Sequence, residues 1–432
     1  MEKIRVVLPK KYDLVVGDTF QLFYRGVIEA PNPFVYDILV SCVKGKNFPR
    51  YFEFLPEEPG KYELTLSVFG ADKSLLGQGK TTLNVVAPVQ SAKPLNILCI
   101  GDSLTGGGQW PEEAYRRLTS VNGEPKGLGL QNISFIGNCK KGNVGYEAFG
   151  GWTWDSFLSA TVGDFWVHCA HEKTLKDQHS IWQDENGNLW QLETIDCGRL
   201  KFTRYGKQIA DKPEGGYLIH VRNAVQRDPI KCGRSYYEKP SPFYDSESQC
   251  VDFKKYCKKN GYDGIDAMYV LLGLNGLMGI ETSVMDFCKE VVAQGKKLVD
   301  LFHESYPKAK VRVMGMHMPS VHGGTGWSYG AIPPYCDRYG LVRFVTELNL
   351  AYDSWAREPE YCDFVEYVNV SGQFDLENAF PSIEKPVNVR SKKTERMDVN
   401  GLHPLTEGYM MVADAAFRSM VNLHSYYAEK NK

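Results

Sequence analysis

Residues 98–110 read "LCIGDSLTGGGQW": an apolar run closes on Gly101, Asp102 and Ser103, and three glycines follow at 106–108. A run that is apolar without alternation reads as a strand buried on both faces. The next segment, "PEEAYRRL" (111–118), has helical character. Ser103 therefore stands where a strand hands over to a helix, the position at which open α/β sheets gather ligands. Taken alone, the triplet is explained by a serine or aspartate capping the helix. The alternative is a hydroxyl held out for chemistry, with the glycines permitting a sharp turn that leaves the N–H of Ser103 pointing outward.

Further along, apolar strand candidates alternate with longer segments of helical period: "NILCI" (96–100), "ISFIG" (133–137), "AMYVLLG" (267–273), "KVRVMGM" (310–316) and "FVEYVNV" (364–370). This alternation predicts an α/β fold with a five-stranded parallel sheet covered by helices. Two of these helices are expected at 283–306, with Phe287, Val291, Leu298 and Phe302 at helical spacing, and at 405–427. Upstream the pattern differs. Residues 1 to about 88 hold short alternating strands separated by turn-formers such as "APNP", "EEPG" and "GADKS", which predicts a small β-sandwich, Ig-like or jelly-roll-like. The proline-broken "APVQSAKP" (87–94) reads as a linker. The expected organisation is an all-β accessory domain at 1–90 and a catalytic α/β domain at 95–432. An insertion is expected at about 160–250, where "SIWQDENGNLWQLE" (180–193) signals a hairpin around Asn186-Gly187.

Composition narrows the function classes. With 432 residues, 43% hydrophobic and 24% charged, the chain has the make-up of an ordinary globular protein and room for more than one core. Its net charge of −2 supplies no overall field for nucleic acid or anionic lipid, and the cluster "FKKYCKKN" (253–260) reads as a solvated helix face. No apolar run reaches a membrane span, and "MEKIRVVLPKKY" is too short in apolar length for a signal peptide, so the expectation is a cytoplasmic protein without a membrane or nucleic-acid partner. The eleven cysteines contain no CxxC pair and read as buried thiols. At 168–172, "HCAHE" matches no standard zinc spacing. No metal or organic cofactor is expected.

A serine hydroxyl needs a base to take its proton and donors to hold the oxyanion that its attack creates. The ends of other candidate strands carry such groups. "GYEAFGGWTW" (145–154) offers Gly151 as a loop N–H, "LLGLNGL" (271–277) offers the side-chain amide of Asn275, and "VNGLHPLTEGY" (399–409) presents His403 just before the last helix. Trp110, Trp152, Trp154 and Tyr146 could build a stacking floor for a sugar ring, or simply pack inside. His317, in "MGMHMPS", ends the fourth strand but is no candidate catalyst.

The four segments "GDSLT", "GYEAFGGWT", "GLNG" and "NGLHPLTEGY" occur in this order, and over residues 95–425 the chain resembles the SGNH hydrolases, or GDSL esterases and lipases. The resemblance extends to bacterial two-domain carbohydrate esterases. It implies a flavodoxin-like three-layer α/β/α domain, Ser103 as nucleophile, His403 as base, and the N–H of Ser103, Gly151 and Asn275 as oxyanion hole. Asp102, Trp152, Trp154 and Tyr146 are then expected beside the substrate. Two departures stand out: Gly276 replaces the usual aspartate of the third block, and Asn400 occupies the position of the triad aspartate. An asparagine carbonyl can hold the histidine Nδ1–H but brings no charge to the imidazolium. The orienting group is Asn400 by position, with Asp398 or a backbone carbonyl as alternatives. The expected activity is hydrolysis of small acyl esters, O-acetyl groups on oligo- or polysaccharides first, through an acyl-enzyme. Lipase or thioesterase chemistry is the enzymatic alternative, and a glycan-binding protein with a weakened site is the non-enzymatic one.

Overall fold

The structure is a computed structural model that describes residues 3–158, 165–168, 180–196, 199–204, 216–221, 230–231, 235–237, 241–275, 283–322 and 338–429. At its centre lies a sheet whose strands are β1 (Leu95–Gly101), β2 (Ile133–Ile136), β3 (Cys139–Lys141), β4 (Val144–Ala148), β5 (Ala267–Leu271), β6 (Lys310–Met314) and β7 (Val365–Val368). Parallel pairings run β2–β1–β5–β6–β7. This order turns back at β1, the arrangement that opens a crevice at the carboxyl ends of the strands. The sheet is larger than the sequence pattern suggests. β4 pairs in parallel with the last residues of β1, and β3 adds to β4 antiparallel, giving seven strands. Strands this short lack enough apolar residues to be separated from loop by periodicity.

The interior strand β5 (AMYVL) is apolar and buried along its whole length, whereas β6 carries the buried Arg312, which pairs with Glu366 of β7. Around the sheet stand α1 (Ser103–Gly106), α2 (Gln109–Thr119), α3 (Phe253–Asn260), α4 (Val284–Ser305), α5 (Arg338–Trp355) and α6 (Thr406–Glu429). α4 starts where the Ser283 side chain accepts the Asp286 N–H, and it buries Phe287, Val291, Leu298 and Phe302. Each such side chain contributes about 1.5–3 kcal/mol by leaving water. None of the described helices is long and apolar enough to cross a membrane.

Residues 5–86 form strands only, apart from two single helical turns. One sheet carries Lys11–Val15, Leu75–Val86, Gly60–Phe69 and Asp37–Ser41, and a second carries Phe20–Phe23, Tyr51–Phe54 and Lys46–Asn47. Their inward residues, among them Leu14, Phe20, Phe52, Phe54, Leu64 and Leu83, make a core separate from that of the α/β sheet. No helix or strand occurs at 87–94.

The contact between this β region and the α/β region is polar and buried. Asp18 receives Arg117 Nη2 at 2.5 Å and Arg418 Nε at 2.6 Å, from α2 and α6. Burial raises the pKa of this carboxyl, but the two guanidiniums overcome that and hold it below the usual range. Arg50 pairs with Asp375 at 2.9 Å, and Tyr12 Oη donates to Asn369 Oδ1 at 3.2 Å. A Cβ on Gly26 would stand 2.0 Å from the Ser371 carbonyl oxygen, so only glycine admits this approach.

Between α/β elements, the described strands of 165–237 build their own antiparallel seven-stranded sheet around Trp182, Trp190, Leu192 and Phe202. Its Ile181–Gln183 and Leu189–Asp196 strands flank Asn186-Gly187, with Gly187 at φ +82° as the turn requires.

Candidate active site

β1 ends at Gly101, where a Cβ would lie 2.0 Å from Thr105 Oγ1, and the chain turns at once into α1. Asp102 is the N-cap: its Oδ1 accepts the Leu104 N–H at 2.9 Å. Ser103 is the first helical residue, so its N–H has no partner inside the helix. The cap of this turn is thus Asp102, and Ser103, half-buried, follows it as the first residue of α1.

His403 lies on the turn before α6, and its Nε2 is 2.8 Å from Ser103 Oγ. The two residues are 300 positions apart in the chain, and only the tertiary fold brings them together. Burial lowers the pKa of His403, keeping the imidazole neutral and able to accept a proton at neutral pH.

The segment after β4 is tied to β1 by Phe149 N–H donating to the Gly101 carbonyl at 3.1 Å. Trp152 N–H then closes a turn on the Phe149 carbonyl at 3.2 Å, with Gly151 at φ +84° in the third position. That is the left-handed position of a type II turn, which glycine fills without strain. The turn runs beside the nucleophile candidate, since a Cβ on Gly150 would be 3.9 Å from Ser103 Cβ.

Asn275, four residues past β5, binds these segments together. Its Nδ2 donates to Asp102 Oδ2 at 2.9 Å and to the Trp152 carbonyl at 3.0 Å. Asp102 is buried, and burial pushes its carboxyl up to about 7 against the opposing backbone hydrogen bonds. This bond between the first and third blocks was missed from sequence, where Asp102 was expected beside the substrate. The only available signal was its place next to Ser103. Gly276, the departure in the third block, lies outside the described residues.

Neither orienter candidate reads as a free carboxylate facing His403. Asn400 Oδ1 accepts the backbone N–H groups of Leu402 and His403, at 3.0 and 2.9 Å, and so shapes the turn that carries the imidazole. Asp398 is buried, with Ser320 Oγ donating to its Oδ2. Arg396 Nη2 stands 3.3 Å from Oδ1, near enough for charge pairing but not aligned as a hydrogen bond. His317 is buried, flat against Phe374 at 4.7 Å, with its Nδ1 2.9 Å from the Met318 carbonyl oxygen. Burial, together with the nearby His403, pushes it down to about 4.

The expected stacking floor is corrected by the structure. Trp154 is 1% exposed, donates to Tyr352 Oη at 2.8 Å and meets Trp355 edge-on, deep in the core. Trp110 donates to Thr105 Oγ1, and Tyr146 donates to the Gly106 carbonyl. Trp152 packs between Phe149 and Phe157. All four rings are buried: Trp110 sits on α2 and Tyr146 on β4, and the loop that carries Trp152 and Trp154 folds back onto the core. No group of metal-ligating side chains occurs among the described residues, and residues 169–172 of the "HCAHE" segment lie outside them.

No family model matches the chain, and no curated protein matches it. Among solved structures it is similar to a carbohydrate esterase family 3 protein from Talaromyces cellulolyticus, with 12% identity and TM-score 0.35 over 77% of this chain and 98% of that one. It is also similar to a Clostridium thermocellum family 3 carbohydrate esterase, with 13% identity and TM-score 0.38 over 78% and 99%. The periplasmic domain of a lipopolysaccharide acetyltransferase from Salmonella ser. Paratyphi A aligns at 9% identity and TM-score 0.34 over 76% and 84%. These values are too low to carry weight for activity. The strand order β2–β1–β5–β6–β7 is that of a flavodoxin-like doubly wound sheet, with Ser103 just past the carboxyl end of β1 and His403 on the turn before α6.

Proposed function

We propose that this protein is a serine esterase that removes small acyl groups, O-acetyl first, from carbohydrates. The observation that carries the reading is the 2.8 Å contact between Ser103 Oγ and the neutral His403 Nε2. In this reading Ser103 Oγ bonds to the ester carbonyl carbon as His403 takes its proton. The imidazolium returns the proton to the leaving alcohol, and water, deprotonated in turn by His403, releases the acid from the acyl-enzyme. The oxyanion is held by the N–H groups of Ser103 and Gly151 and by Asn275 Nδ2. Both hydrogens of that amide are engaged at rest, by Asp102 and by the Trp152 carbonyl, so the oxyanion takes over one of these bonds. Residues 1–90 are accessory in this scheme, and 95–432 form the catalytic domain.

The test is hydrolysis of para-nitrophenyl acetate. Ser103→Ala is expected to lower kcat by a factor of about 10³ or more. Equal rates in both proteins would remove the esterase and leave a glycan binder.

A further inference from the structure

Five residues before His403, the chain completes a two-stranded hairpin of Ser382–Pro386 and Thr394–Asp398 that pairs with no other strand among the described residues. Its base is continuous with the candidate site. Val399 N–H donates to the Pro381 carbonyl at 2.8 Å, and Asn400 then caps the turn that holds His403. Its tip is ordered by its own bonds: Val387 N–H to the Lys393 carbonyl, Arg390 N–H to Asn388 Oδ1 and Lys393 N–H to Ser391 Oγ, each at 3.0 Å.

Between Pro386 and Lys393 the tip holds three cations, Arg390, Lys392 and Lys393, and no acid, although the whole chain is net negative. None of the three has an ion pair among the described residues, whereas Arg396 at the base pairs with Asp398 at 3.3 Å and donates to the Phe380 carbonyl at 3.2 Å. Val389 at the tip is fully exposed, and Ile383 and Met397, opposite each other across the strands, are also exposed. A folded arm that keeps three unpaired cations and an apolar strip in water presents a surface for an anionic partner with apolar faces. Strand geometry gives the arm a reach of roughly 15 Å from the His403 turn.

We propose that this hairpin is a docking arm for an acidic polysaccharide, so that the acyl esters cleaved at Ser103 are borne on a uronate-rich glycan. The inference rests on the esterase reading above. Carboxylates along such a polymer meet Arg390, Lys392 and Lys393, while the C–H faces of its sugar rings lie on Val389, Ile383 and Met397. The size of the patch argues against the other polyanions. Polybasic segments that hold anionic lipid use about four to eight basic residues, and specific nucleic-acid binders neutralise roughly six to ten phosphates.

The variant R390Q/K392Q/K393Q changes only exposed side chains and leaves the catalytic groups untouched. With wild-type protein, kcat/KM on acetylated polygalacturonate is expected to exceed that on acetylated glucomannan of equal length by roughly tenfold. This preference should fade between about 0.05 and 0.5 M NaCl, as ionic screening shortens the attraction. The triple variant should lose the preference and keep its para-nitrophenyl acetate rate. Equal rates of wild type and variant on acetylated polygalacturonate, or no preference in the wild type, overturn the proposal. A second arm reads binding without turnover: Ser103→Ala protein in affinity electrophoresis through unesterified polygalacturonate should be retarded, and the same protein with the three glutamines should not. Retardation that survives the three substitutions, or hairpin-dependent binding to phosphatidylglycerol vesicles or a single-stranded oligonucleotide with none to polygalacturonate, also overturns it. If para-nitrophenyl acetate turnover is absent while the electrophoresis succeeds, the esterase reading fails and the arm stands.

Discussion

The contact between the β region and the α/β region and the surroundings of Ser103 are both buried and polar, yet burial has opposite consequences in them. At the contact, Asp18 sits between Arg117 and Arg418 and stays ionised below the ordinary carboxylate range, although desolvation opposes this. Around Ser103 burial instead drives the titratable groups toward their neutral forms. Asp102 is pushed up to about 7 and His317 down to about 4, and His403 is lowered too, all with desolvation as the leading cause. A low-dielectric setting keeps a charge only where it is paired and otherwise favours the neutral form. The contact thus uses charge to fix two regions against each other, and the site uses burial to keep its imidazole a base.

The largest effect that tests this contrast is expected at the contact. Asp18→Ala leaves two guanidiniums facing each other without an anion, and should lower the unfolding free energy by about 3–5 kcal/mol, read as a shifted urea midpoint. A loss near the surface-pair value of under about 1 kcal/mol would mean that water reaches the pair. Next comes Asn275→Ala, which removes the proposed oxyanion donor. If the amide trades a resting bond for the oxyanion, kcat should fall by about 10²–10³ while urea stability changes far less. A loss confined to stability would restrict Asn275 to tying Asp102 to Trp152. The smallest effect is in the pH profile. If the neutral imidazole is the active form, as proposed, its lowered pKa means that activity should persist below pH 6.5 and fall only as acid protonates His403. An acid limb at or above pH 6.5 would show a counter-charge near the ring.

Much of this was legible from residue order. The apolar runs at 95–101, 267–271 and 310–314 are buried strands, and the 283–306 periodicity is helix α4. Ser103, Asn275 and His403 could be picked out because each stands just past a strand or before a helix, in the residue types that acyl transfer uses. The short strands β3 and β4 were hidden, being too brief for periodicity to mark. The orientation of the aromatics was hidden as well: Trp152 and Trp154 fall in a loop beside the nucleophile, and a loop residue can face cleft or core with equal ease.

The sequence by itself determined which groups are available: a hydroxyl at the end of a buried strand, an imidazole ahead of the last helix and an amide past the third strand. The tertiary structure decided which partners they take. Asn400 spends its oxygen on two backbone N–H groups, Asp398 turns to Ser320, and Asp102 holds Asn275. The reason is physical: the type of a side chain sets what it can donate or accept, but hydrogen bonds act over about 3 Å, and only the folded chain determines what lies within that distance.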